Sequence, residues 1–338
     1  MAGLFEHDIL ETDMAPHEMG DGLIKVIDTD LPLTRMFGKG RQQRNKLAVW
    51  GAYFPNEEGD IARREGADKT DGWQSNLPVT LRSMVQMNRS QGWMVTDLAA
   101  KTMATWAKTE HDRVNQQRLA DFETFTLMRE AVMAGGQFAE EAGAKNGNKN
   151  RTTGMFGWLN PNQPKDSLFA VPQECRLSDK EWLTKLPTLA EFRALMLAAG
   201  IRMSRIGKWT GVVGPKLASH MNDWVIDNTK LSDVTKTIVN EKLKLSVNTY
   251  QFAEGLVEFF PHFRMLRNVN GKDTAQSMHS GAFIRPEMWR TAFMQAIEHR
   301  PGVDGGGGVR GFWEDMFVLQ CLNPLGQFAV YSDGKAAA

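Results

Sequence analysis

Apolar and polar residues alternate along NLPVTLRSMVQMN. Leu77, Val79, Leu81, Val85 and Met87 fall on one side, and Thr80, Arg82, Gln86 and Asn88 on the other. A period of two is the pattern of a half-buried strand. Arg89-Ser90-Gln91-Gly92 reads as a turn or bulge, after which Trp93 and Val95 resume. Upstream, KLAVWGAYFP (Lys46–Pro55) is a second β-type run, and a polar stretch from Asn56 to Asn76 separates the two. Residues 46–98 therefore read as a long two-stranded extension with a polar tip. Such a ribbon is barely stable in water by itself, so it must rest on something else.

The period then changes. Glu110–Ala134 lacks Gly and Pro, and Leu119, Phe122, Phe125, Met128 and Val132 recur at steps of three and four. This predicts a long amphipathic helix stopped by Gly135-Gly136. Thr188-Leu-Ala-Glu191 is a capping box. Leu189, Phe192, Leu195, Met196 and Ala199 form the stripe of the helix it opens, with Gly200 as the stop. Trp209–Pro215 reads as a short strand running into a helix with Pro215 in its first turn and Leu217, Met221, Trp224 and Val225 inward. Residues 250–265 read as strand, turn, strand. Residues 288–299 fit either a helix (Trp289, Ala292, Phe293, Ala296, Ile297) or a strand. GFWEDMFVLQCLNPLGQFAVYSD reads as two strands about an Asn323-Pro324 turn.

Residues 1–45 have scattered apolar positions interrupted by Pro16, Gly20, Gly22, Pro32, Gly38 and Gly40. A segment like this cannot bury itself and reads as an arm that orders only on a partner. Arg41 and Arg44 in RQQRN are candidate contacts to nucleic acid or a neighbouring chain, although paired arginines are more often a solvated surface.

Length narrows the architecture to about two domains with ample core for 338 residues. Forty Lys+Arg against forty Asp+Glu give zero formal charge, so no global field draws the chain onto nucleic acid or an anionic membrane. No apolar run approaches the length of a membrane span. The acidic start, broken by Pro16, lacks signal-peptide order. Cys175 and Cys321 fit no paired motif and read as free thiols in a reducing compartment.

The candidate chemistry is sparse. Gly306-x-Gly308-x-x-Gly311, inside a run of four glycines (Gly305–Gly308), matches a dinucleotide fingerprint. It lacks the βαβ context and the Lys-Ser/Thr of a phosphate loop. The seven histidines make no metal-ligand spacing, and Glu57, Glu58 and Asp60 read as a solvated acidic turn. No catalytic residue, cofactor or metal is implied.

Arm, ribbon, long helix, α+β body and a closing strand–loop–strand, in that order, resemble the major capsid proteins of tailed bacteriophages with the Hong Kong 97-type fold. The segments carrying the resemblance are Asp30–Trp50, Gly207–Trp224, EGLVEFFPHFRM, HSGAFIRPEMW and FWEDMFVLQCLNPLGQFAVYSD. The resemblance implies an α+β fold with arm (1–45), extended β-hairpin loop (46–98), peripheral domain (99–203, with a spine helix at 110–134), axial domain (204–287) and returning peripheral strands (288–338). It favours strand for 288–299, and a strand-joining loop for the glycines. It implies a non-enzymatic subunit forming hexamers and pentamers of an icosahedral shell around double-stranded DNA in a virion, assembled in the host cytoplasm. Portal, separate scaffolding and decoration proteins are its expected partners, with DNA held non-specifically and no membrane. Candidate interface residues are Arg41 and Arg44 on the arm, and Arg63, Arg64, Glu65, Asp68, Lys69, Asp71 and Trp73 at the ribbon tip. Lys69 is the only tip lysine, and no crosslinking partner can be assigned to it. Two other readings stay open: an encapsulin-type cargo shell, and a soluble enzyme using Gly305–Gly308 for a phosphate.

Overall fold

The computed structural model describes residues 31–52, 79–97, 112–143, 149–159, 173–179, 186–203, 207–227, 235–240, 245–262, 278–302 and 307–332. The elements in chain order are α1 (Pro32–Met36), β1 (Gly38–Lys39), β2 (Leu47–Ala52), β3 (Val79–Met84), β4 (Gln86–Arg89) and β5 (Trp93–Thr96). Then come α2 (Asp112–Ala134), α3 (Met155–Leu159), β6 (Arg176–Asp179), α4 (Leu189–Arg202), β7 (Gly207–Val213) and α5 (Pro215–Asp227). The chain closes with β8 (Thr235–Asn240), β9 (Leu245–Phe252), β10 (Gly255–Pro261), β11 (Gly281–Ile284), β12 (Trp289–Pro301), β13 (Gly308–Cys321) and β14 (Phe328–Ser332).

Three sheets organise these strands. A seven-stranded sheet has the order β6-β14-β11-β7-β10-β9-β8. In a second, β1, β12, β13 and β4 lie side by side, and β5 also pairs with β13. The third is the β2–β3 pair. The main core lies between the seven-stranded sheet and its helices. Phe192 of α4 packs on Phe283 and Phe328, and Trp209 meets the edge of Phe328. The Trp209 indole donates to the Gly326 carbonyl at 2.8 Å, which satisfies its one polar atom inside an apolar core. Thr188 and Glu191 make the predicted reciprocal capping box at the start of α4. That helix runs through Gly200 to Arg202, so the expected stop at Gly200 does not occur.

The 288–299 segment is strand. β12 and β13 form a long antiparallel hairpin across the glycine loop. Gly308 opens β13, and a Cβ there would lie 2.3 Å from the Val95 carbonyl oxygen, so this glycine permits a close strand approach. Gly307, at φ 95°, takes the left-handed backbone that glycine tolerates best. Gly305 and Gly306 lie outside the described residues.

Two readings need correction. The alternating run 77–87 is not one strand. It breaks at Val85: β3 pairs with β2, whereas β4 and β5 join β13. Met84 and Val85 are both buried, which shifts the phase, so Met87 faces solvent. The cause is polar. Asn88 Nδ2 donates to the buried Asp315 carboxylate at 2.7 Å, so the Gln86/Asn88 side turns inward. Leu77 lies outside the described residues.

The second correction concerns the arm. Its described part, from residue 31, is docked on the chain's own body. Leu33, Met36 and Phe37 stand at steps of three and one and are all buried. Phe37 stacks on Trp289 with ring centroids 5.5 Å apart. β1 lies parallel against the start of β12, Gly38 opposite Arg290, and the Gly40 amide donates to the Thr291 carbonyl at 2.9 Å. Short helical spacing hidden between prolines and glycines supplied the buried face.

Candidate assembly interface

The long helix α2 is the hub of the molecule. Its expected stripe of Leu119, Phe122, Phe125, Met128 and Val132 is only partly inward. Phe125 is buried, Phe122 and Val132 are half-buried, and Leu119 and Met128 are exposed. The buried face instead carries Phe125, Thr126, Arg129, Glu130, Met133 and Ala134. Two adjacent charges are thus taken out of water, and each needs a partner.

Arg129 points to the hairpin sheet. Its Nε lies 3.0 Å from Asp315 Oδ2, with the side chains 4% and 0% exposed. The guanidinium also sits over the faces of Phe293 and Phe317, about 5 Å from each ring centroid. Burial lowers the Arg129 pKa. Burial also pushes the Asp315 carboxyl up to about 6, against the opposing pull of the Asn88 hydrogen bond and of Arg129. In this buried site each group is the other's counter-charge.

Glu130 points the other way, to the arm. Its carboxylate accepts the backbone amides of Leu33 and Thr34, the latter at 3.1 Å, and the Thr34 hydroxyl at 2.7 Å. These are orphan donors at the first turn of α1, so Glu130 acts as a cap supplied by another helix. His262 Nε2, just after β10, lies 3.5 Å from the same carboxylate. One helical dipeptide, Arg129-Glu130, therefore ties the hairpin sheet, the arm and the end of β10 to α2.

The base of the ribbon is fixed by contacts from both its strands. Trp50 donates its indole N–H to the Cys321 carbonyl at 3.0 Å and meets the edge of Trp158. Ala48 packs with Val85, Ala292 and Val318. Buried Ser83 accepts the Thr153 amide at 3.2 Å, and Thr152 Oγ1 accepts the Leu319 amide at 3.1 Å. These hydroxyls satisfy backbone groups where β13 has left β4 behind. The opposite face of β2 carries Leu47 and Val49, which are 43% and 54% exposed.

Among the sequence-derived interface residues, Arg41 and Arg44 are exposed on the segment leading from β1 to the ribbon. Gln43 between them is anchored by its amide to the Phe293 carbonyl at 3.0 Å. Arg63, Arg64, Glu65, Asp68, Lys69, Asp71 and Trp73 lie outside the described residues. Sequence reasoning missed Arg129, Glu130, Thr34, His262 and Asp315. The available signal was the RE dipeptide near the C-terminal end of an apolar-spaced helix, where no strictly amphipathic count would place a charge inward.

A β-ribbon, a docked arm, a long helix under a hairpin sheet and a separate seven-stranded sheet define the class of shell-forming capsid subunits. The SU10 major capsid protein family model matches residues 8–331, and the chain belongs to that family. Membership makes it a major capsid protein. A search of curated proteins finds no significant match. Solved structures share the fold at low identity. The cyanophage A-1(L) capsid protein is 10% identical at a TM-score of 0.59, covering 97% of this chain and 99% of that one. The cyanophage P-SCSP1u capsid protein is 11% identical at a TM-score of 0.54, covering 94% and 93%. The SrpI encapsulin of Synechococcus elongatus PCC 7942 is 11% identical at a TM-score of 0.56, covering 94% of each. Among the described residues no helix is long and apolar enough to cross a membrane.

Proposed function

We propose that this subunit builds its shell by clasping neighbours with the ribbon and the arm, while the α2 hub holds both in a fixed relation to the body. The observation carrying this is the β2–β3 ribbon. One face is pinned to the body through Ala48 and Trp50, and the other presents Leu47 and Val49 to solvent. A neighbouring subunit covering that face removes apolar surface from water, which couples assembly to burial. The tip charges Arg63, Arg64, Glu65, Asp68, Lys69 and Asp71, with Trp73, seat on the next subunit, and Arg41 and Arg44 contact a neighbour. In this reading residues 1–45 are the arm, 46–98 the extended loop, 99–203 and 288–338 the peripheral domain, and 204–287 the axial domain. The role is structural and not enzymatic. The neutral chain encloses double-stranded DNA without binding it tightly. Assembly occurs in the host cytoplasm with portal, separate scaffolding and decoration proteins as partners.

Deleting Asp60–Gly72 tests the clasp. The reading expects a folded subunit, with unchanged circular dichroism and thermal midpoint, that no longer assembles; intact shells from the deletion would refute it.

A further inference from the structure

Helix α4 has two apolar faces. Phe192, Leu195, Met196 and Ala199 enter the core. On the opposite side Ala190, Ala194, Leu197 and Ile201 form a second stripe at steps of four, three and four, and all four are exposed, Leu197 by 52% and Ile201 by 67%. That spacing is a coiled-coil seam. On one flank of the stripe stand Glu191 in the first turn and Arg202 in the last.

We propose that this stripe pairs antiparallel with the same helix of a second copy of the chain, across a two-fold axis between Ala194 and Leu197. The proposal rests on the shell-subunit reading and adds a specific contact to it. The self-complementarity is in the residues. Antiparallel pairing sets Ala194 against Leu197 of the second copy, and Ala190 against Ile201, so each small side chain meets a large one. The same register brings Glu191 of each copy to the flank carrying Arg202 of the other, giving opposite charges twice by symmetry. Arg202 also bonds Glu174 through its Nε, and its terminal nitrogens remain as further donors. The helix is about 21 Å long, and one such seam is smaller than a stable free dimer needs. The contact therefore acts within an assembly, where many weak contacts add.

The test mixes two singly substituted chains, A194C and L197C, under assembly conditions with mild oxidation. The two native cysteines are buried. The expected result is a 194–197 disulfide between copies, identified by peptide mass spectrometry, formed more in the mixture than with either chain alone. Particles that assemble without that bond overturn the helix pairing and leave the shell reading intact. Failure of the unsubstituted chain to form particles with its scaffolding partner counts against the shell reading instead. As a second readout, Leu197→Glu is expected to reduce particle yield while leaving the subunit's thermal midpoint unchanged. Normal yield from Leu197→Glu also overturns the proposal. Loss of yield without the 194–197 bond places the stripe against another surface and overturns the antiparallel pairing.

Discussion

Arg129 and Asp315 are joined at 3.0 Å, and neither side chain reaches solvent. The pair fixes the long helix against the hairpin sheet. Removing one partner strands the other charge in the core. Arg129→Met should destabilise the unassembled subunit by about 3–5 kcal/mol, whereas Arg129→Met combined with Asp315→Leu should cost much less. Urea unfolding of the single and double variants checks this. Additive losses would show that the two charges are not coupled.

Glu130 holds the arm by hydrogen bonds that the arm cannot make for itself. Glu130→Ala leaves the Leu33 and Thr34 amides without their acceptor, at about 1–3 kcal/mol for each buried donor. Thr34→Val removes only the hydroxyl contact and should cost about 1 kcal/mol. Hydrogen exchange reads the effect locally. Amide exchange at residues 33–40 should accelerate in Glu130→Ala, with β11 and β14 of the seven-stranded sheet unchanged.

Two groups give opposite pH dependences. His299 accepts the Trp93 indole N–H at 3.2 Å, and its pKa is lowered by burial first and by the Arg118 charge second. The unfolded chain therefore takes up this proton before the folded one, and His299 lowers stability as pH falls through about 6.5. Asp315, raised to about 6, does the reverse. Its burial cost develops as pH rises from about 4 to about 6. Denaturant midpoints between pH 5 and 7.5 should flatten on their acid side in His299→Gln. An unchanged profile would remove His299 as the titrating group.

Much of the fold was legible because local signals agreed with tertiary demands. The Thr188–Glu191 capping box, the Pro215 helix start and the Asn323-Pro324 turn all stand where turn and cap chemistry put them. Trp289–Ile297 fitted two periods equally, and its long pairing with β13 makes it strand, as the resemblance implied. Elsewhere the failures share one cause. Counting apolar spacing put Leu119 and Met128 inward on α2 and Met87 inward on the ribbon, and all three are exposed. The inward positions belong to buried Arg129 and Glu130 and half-buried Asn88, which turn inward because Asp315, Leu33 and Thr34 lie opposite them. Those partners lie far off along the chain, 96 positions for Thr34 and Glu130 and 227 for Asn88 and Asp315. No local pattern reports such a pairing. The docking of residues 31–40 on the body went unread for a related reason, since Leu33, Met36 and Phe37 are too few to be read as a core-forming helix without the Trp289 surface that receives them.

The central claim is that this chain is a shell subunit, and its assembly state tests that most directly. The measurement is size-exclusion chromatography with negative-stain electron microscopy of the expressed chain. Closed polyhedral particles, or sheets and tubes of hexameric rings, are the predicted result. A small soluble species that stays unassembled under those conditions and binds a nucleotide through the glycine loop would contradict it.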